Sequence, residues 1–257
     1  FNMAWNIVRH AFVIVFGNWK EALKASVLPF FLLVTILAGM SYVTGLANIQ
    51  ISDASLGQGG NVGSIALFVV VALIASMLVL SWVAVTWHRF ILLEEYPAYF
   101  PAVTGRPIGA YFRRTAMIIL QMFGVLIPVA LIVMPLMAGL LASPFVLALF
   151  SIAVNVLIIF VWLRVCISLP SVAVGEPMTS VEAWGKTREI SQTILGLGLV
   201  MILLNFAAGT IVNLALAPIP VVSSIASIAV QWVSMMVGIS VLTTIYGHVV
   251  EGRPLVD

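Results

Sequence analysis

The sequence has 257 residues, of which 63% are hydrophobic and only 8% charged, with a net charge of +2. Soluble domains are about 45–50% apolar and about 25% charged, so the soluble, disordered, collagen-like and disulfide-rich classes are excluded. A mean hydropathy of +1.21 marks an integral membrane protein, and the small net charge argues against a nucleic-acid partner.

In chain order, residues 1–25 read as an amphipathic interfacial helix. Ile7, Val8, Phe12, Val15, Phe16 and Trp19 fall on one helical face, while Asn6, Arg9, His10 and Lys20 lie mostly elsewhere. Such a helix lies in the plane of the headgroups, and Gly17-Asn18 is a break point. The chain starts at Phe1 rather than Met, so its natural N-terminus is expected upstream.

A bilayer core of about 30 Å needs about 20 apolar residues in a helix. Six stretches qualify: about Ser26–Leu46, Ser64–His88, Thr115–Ala142, Pro144–Leu169, Gln192–Ala217 and Val221–His248. They are too long, and apolar on too many sides, for barrel strands. Residues 48–63 are rich in Gly, Ser, Gln and Asn and read as a flexible outer loop. Ser143-Pro144 and Pro218-Ile219-Pro220 are tight turns. The expected fold is an all-α, single transmembrane domain of six helices in three hairpins, about 26–88, 115–169 and 192–248. Pro128 and Pro135 in the third span are expected to kink it.

All 11 Lys and Arg residues precede odd-numbered spans or end even-numbered ones, and none lies in the loops after spans one, three or five. Those loops carry one charge, Asp53. The positive-inside rule then puts both termini in the cytoplasm. Gly105-Arg106-Pro107, Gly175-Glu176-Pro177 and Gly252-Arg253-Pro254 each follow an even-numbered span, which suggests a threefold repeat. Before span five, Thr179 and Glu182 have capping-box spacing, with Val181, Trp184 and Thr187 expected to face the membrane.

Few residues carry chemistry. No charge is expected at mid-membrane depth, and Cys166, the single cysteine, reads as an inert buried thiol. His88 and His248 lack neighbouring carboxylate or thiolate ligands, so no metal site is expected. Nucleophile-elbow, zincin and phosphate-loop motifs are missing, and no cofactor is expected. The intramembrane amides Gln121, Asn155, Asn205, Asn213 and Gln231 are candidate helix–helix hydrogen bonders. Their sharper reading is the lining of a solute path. Trp232 lies deep and needs a partner for its indole N–H. Arg9, Trp19, Lys20, Trp87, His88, Arg89, Arg113, Arg114, Trp162, Arg164, Trp184, Lys186 and Arg188 are candidate contacts to lipid headgroups at the interface.

The run Leu169-Pro170-Ser171-Val172-Ala173-Val174-Gly175-Glu176-Pro177, then Val181-Glu182-Ala183-Trp184 and Thr187-Arg188, together with Trp87-His88-Arg89, carries a resemblance. It resembles the six-helix bacterial inner-membrane proteins related to the membrane domain of some glycerophosphodiester phosphodiesterases. The resemblance implies a six-helix bundle with cytoplasmic termini. It implies no phosphodiesterase activity, which belongs to a separate soluble barrel domain that these residues do not contain. The leading expectation is a non-catalytic accessory, assembly or lipid-organising subunit, partnered by membrane lipids and other membrane subunits. The alternative is a transporter or channel for a neutral or lipid-like solute. A third reading is a lipid enzyme using His88, His248 and Glu95.

Overall fold

The computed structural model describes residues 2–45, 62–137, 143–216 and 218–255. Among them every regular element is a helix: α1 Asn2–Gly17, α2 Trp19–Val43, α3 Val62–Leu93, α4 Ile108–Met137, α5 Pro144–Cys166, α6 Ser168–Val174, α7 Ser180–Lys186, α8 Ser191–Leu216 and α9 Pro220–Val249. Six helices are long and apolar enough to cross a membrane, with mean hydropathies of 1.9 to 2.8. The chain is therefore a multi-pass membrane protein by length and composition. Nearly all of the predicted outer loop 48–63 lies outside the described residues; Val62 and Gly63 already belong to α3.

The helix boundaries correct the first 25 residues. The break at Gly17–Asn18 is present, but α2 starts at Trp19 rather than near Ser26. Nothing between Trp19 and Ala25 stops a helix, and Glu21 pairs with Lys24 one turn on, 3.7 Å apart. The apolar stripe of α1 is also aimed elsewhere than expected. Ile7, Val8 and Val15 are buried in protein, because α1 packs along α8 and α9. A helix that packs on protein and one that lies on lipid share the same amphipathic pattern.

The predicted fourth span is two helices. α5 ends at Cys166, and α6 continues it after a one-residue break at Ile167. Ser168 to Ala173 are all buried, wedged against α3, α4 and α9. α5 itself leans on α8 and α7 and touches α4 only slightly, whereas α2 lies along α3 and α8 along α9.

The Gly-x-Pro recurrence has a conformational basis. Gly105, Gly175 and Gly252 sit at φ of 75°, 91° and 69°, a region that a Cβ makes costly. Gly175 closes α6, its N–H bonding back to Val172 O.

The packed core occupies one end of the bundle. Apart from Ala75 and Val212, the buried positions of the long helices α2, α3, α5, α8 and α9 fall in the first half of α2 and α8, the second half of α3 and α9 and the end of α5, joined by all but the last residue of α6. Trp87, His88, Tyr246, Ile118, Ile167, Ile194 and Met236 lie at its centre. The basic residues and both chain ends gather there too: His10, Arg253 and Leu255 line one small cavity. At the far end, Tyr42, Val43, Leu131, Phe145, Leu214 and Val221 stand exposed, as lipid-facing side chains do.

Candidate functional site

The basic end is closed by one repeated device. A helical Ser or Thr turns its hydroxyl proton back to a carbonyl of the preceding turn. Its lone pairs then accept an N–H from a facing element. Trp87 Nε1 donates to Ser240 Oγ at 2.8 Å, and Ser240 donates to Met236 O. Trp232 donates to Ser26 at 2.9 Å, and Ser26 to Ala22 O, so the predicted need of Trp232 is met. Arg114 Nε does the same through Ser168, and Arg164 Nε through Thr187. The deepest case is His88. Its Nδ1 lies 2.8 Å from Thr243 Oγ1, whose own proton goes to Ile239 O. Nδ1 is thereby assigned the ring proton, and Nε2 accepts from the Tyr111 hydroxyl at 3.2 Å. Every proton of this buried neutral triad is used.

The arginines cap helices. Arg89 donates to Ala173 O at the end of α6, and Arg164 to Trp184 O in the last turn of α7, 2.9 and 2.6 Å away. Arg253 donates to Ile91 O and Leu92 O at the end of α3, and Arg114 to Met178 O. The carbonyls of α3, α6 and α7 carry the negative pole of the helix dipole, whereas Met178 lies in the loop before α7. Arg164 also stacks on Trp184, 3.7 Å from the ring centroid. Glu95 joins Arg89, through two bonds, to Arg106. Burial, and next the charge of Arg89, lower the Arg106 pKa; burial also lowers that of His10.

This corrects part of the predicted headgroup set. Trp87, His88 and Arg164 are buried, so they brace the bundle instead of meeting lipid. Arg89 and Arg114 are engaged inside the protein, and Trp162 lines an internal cavity. Arg9, Trp19, Lys20, Arg113, Trp184, Lys186 and Arg188 are exposed. The capping box is formed: Glu182 N–H donates to Thr179 Oγ1 and Thr179 N–H to Glu182 Oε2. That backbone bond, foremost, holds the Glu182 carboxyl below its ordinary pKa. Val181 is exposed as expected, but Thr187 is buried under Arg164.

Above the closed end lies a cavity of about 620 Å³ among α3, α4, α5, α8 and α9. Its walls are apolar, including Met77, Leu80, Ile159, Met201, Met235 and Ile239, and Tyr111 forms part of its floor. At Asn205 this space adjoins a second, about 460 Å³, between α8 and α9. The second is polar. Asn205, Gly209 and Asn213 of α8 face Ser227, Gln231 and Ser234 of α9, each set spaced to lie on one helical face.

Three of the five predicted amides therefore meet, but not as helix–helix bonds. Asn155, Asn205 and Asn213 each donate to the carbonyl four residues back, at 2.8 to 2.9 Å. Across a groove this wide no partner amide is within reach, and the backbone carbonyl is nearest. Gln121 alone makes the expected cross-element bond, accepting from Ser180 at 3.0 Å. Asn155 stands apart on α5. The sequence reading missed Tyr111, Ser240, Thr243 and Ser26 as partners. Their signal is a Ser or Thr on the buried face opposite a Trp, His or Arg. Among the described residues no group of three or more His, Cys, Asp or Glu could hold a metal ion.

Comparisons with family models, curated proteins and solved structures give no match. What the architecture defines is a class: an all-helical, multi-pass membrane protein with one closely packed end and an apolar cavity above it.

Proposed function

We propose that this chain is a non-catalytic, lipid-organising protein of the bacterial inner membrane, with both termini cytoplasmic, that works beside larger membrane assemblies. The observation that carries the reading is the 620 Å³ apolar cavity. Its volume falls in the usual range for ligand sites of about 300–1,000 Å³. It lies within the spanning segments, and its floor is the fully buried layer around Trp87 and His88. An apolar space above a closed layer suits holding an acyl chain better than conducting a solute across. The gathering of the basic residues at one end supports cytoplasmic termini, testable by reporter fusions at each loop. The likeness to the six-helix inner-membrane family belongs to the same proposal.

A catalytic reading finds less support. Glu95 is held by two arginines, His248 Nδ1 faces Arg253 O, and His88 is committed to Tyr111 and Thr243. The transporter reading draws on one observation, the meeting of the polar groove and the apolar cavity at Asn205.

Native mass spectrometry of the full chain tests the proposal. The expected result is retention of membrane lipid by the wild type and its loss in Gly238→Leu. Gly238 lines the cavity, and a Cβ there meets nothing within 4 Å, so the backbone leaves room for a side chain to enter the space. Equal lipid retention by both proteins overturns the proposal, and solute flux in liposomes supports the transporter reading instead.

A further inference from the structure

The polar groove between α8 and α9 contains hydrogen-bonding groups and no ionisable ones among its described lining. Its depth follows from helix geometry. Gln231 lies 11 residues from the start of α9 and Asn205 lies 11 from the end of α8. At 1.5 Å per residue each is about 16 Å below the far end of its helix, near mid-membrane. Asn213 lies only a turn from that end. The groove therefore descends from the far surface to the bilayer centre.

Its groups are not satisfied by the protein. Asn205 and Asn213 each spend one N–H on their own helix, leaving the carbonyl oxygen and the second N–H. Gln231, Ser227 and Ser234 make no side-chain hydrogen bond among the described residues. In hydrocarbon, polar groups without partners are costly. Water entering from the far surface can meet some of them, but not near the midplane beside an apolar cavity.

We infer that this groove binds the uncharged, oxygen-bearing head of a lipid, the class represented by diacylglycerol. The inference rests on the reading that the adjoining cavity takes a lipid chain, and it adds which head the site selects. Hydroxyl and ester oxygens match carboxamides and serines in both directions, as donor and acceptor. A phosphate does not, because no cation lines the groove and burying a lone charge at this depth is prohibitive. The head sits at the amides and one chain passes Asn205 into the apolar cavity.

The test uses the purified full chain in detergent, with dioleoylglycerol and, separately, dioleoyl phosphatidylglycerol as probes. Binding is read by native mass spectrometry and by competition. Dioleoylglycerol is expected to bind saturably and phosphatidylglycerol at least about tenfold more weakly, the difference an unsatisfied polar group makes. Asn213→Leu with Gln231→Leu is expected to weaken dioleoylglycerol binding by about tenfold or more. Gly209→Leu is expected to abolish it. A Cβ at Gly209 meets nothing within 4 Å and leucine is the better helix former, and the elution profile on size exclusion checks that the variant is folded.

Equal binding of the two lipids, or binding unmoved by the groove variants, overturns the inference. If Gly238→Leu removes bound lipid while the groove variants do not, the cavity reading stands and the selection of an uncharged head falls. If Gly209→Leu lowers the oligomeric mass and leaves lipid binding unchanged, the groove belongs to a helix of a second subunit, which also overturns it.

Discussion

The two ends of this bundle draw on the same apolar alphabet and use it differently. At the basic end the side chains interlock, and the buried Trp87 and His88 and the guanidinium of Arg89 meet a facing hydroxyl or carbonyl, while Trp82 Nε1 has no partner among the described residues. Beyond this packed layer the helices leave open space, an apolar cavity from Tyr111 up to Asn205 and a polar groove from Asn205 toward the far end, where amides fold back on their own backbone. Lipid explains why both are stable. Exposed apolar surface costs nothing in a bilayer, so close packing is needed only where the structure must be fixed. The difference teaches that rigidity and occupancy are separated along the membrane normal.

The comparison breaks if the closed end tolerates truncation. Trp87→Ala removes a fully buried indole and orphans Ser240. Such changes cost about 3–5 kcal/mol, and the variant is expected to lose most of its folded yield on fluorescence-detected size exclusion. Leu214→Ala, at a side chain 78% exposed near the far end, is expected to shift the thermal midpoint by no more than experimental scatter. Similar losses from both would erase the distinction between the two ends.

His88 sharpens the point. His88→Leu leaves the Tyr111 hydroxyl and Thr243 without their partner, at about 1–3 kcal/mol for each orphaned group. Adding Tyr111→Phe removes one orphan. The double variant is therefore expected to be more stable than His88→Leu alone, in a thermal unfolding series in one detergent. Simple additivity of the two losses contradicts the triad.

The closed end also has a pH limit. The Glu182 carboxyl is held below its ordinary value of 4.5, first by the Thr179 backbone N–H. A lowered acid pKa adds stability that is present above the ordinary value and lost as pH falls through the folded one. Trp184 fluorescence, reporting α7 docking, is expected to be flat from neutral pH down to about 4.5 and to change only below it. Glu182→Gln is expected to remove that acid-side transition. A transition centred near neutrality points instead to His10, whose burial-lowered pKa loses stability as pH falls past 6.5.

How much of this was legible in the sequence depends on the range of the interaction. The spans were readable because hydrophobicity is summed along one helix. The capping box was readable because Thr179 and Glu182 act three residues apart, and the glycines because φ is a local property. The α5–α6 break was not, since Ile167 carries no breaker and Pro170 falls inside α6. Arg9, Arg113 and Arg188 are exposed, but the contacts that Arg89, Arg114 and Arg164 make inside the protein were not visible. Charge bias orders loops across a membrane, but it cannot tell a guanidinium reaching headgroups from one capping a helix distant in sequence. The amides were read as lying within the spans, but the groove where Asn205, Asn213 and Gln231 meet, and the backbone partners of the two asparagines, were not visible. Whether an amide bonds across or back is set by the width of the gap.

The smallest effect concerns how the basic end is fastened. α3 ends with Leu93, and Glu94 adopts φ of 56° while Glu95 N–H reaches back to Arg89 O. This is the helix-ending turn that glycine usually occupies. Glu94 is exposed, and its left-handed backbone costs about 1–2 kcal/mol, partly offset because glycine would lose more chain entropy on folding. The position is kept because Glu95, next to it, must face both Arg89 and Arg106. Glu94→Gly is expected to raise stability by about 0.5–1 kcal/mol, read as a small rise in thermal midpoint. Glu94→Ala, which keeps the Cβ and loses only the carboxylate, is expected to leave it near wild type. A gain from alanine equal to that from glycine would trace the effect to charge and not to the backbone. The turn would then be a relaxed part of the closed end rather than a strained one.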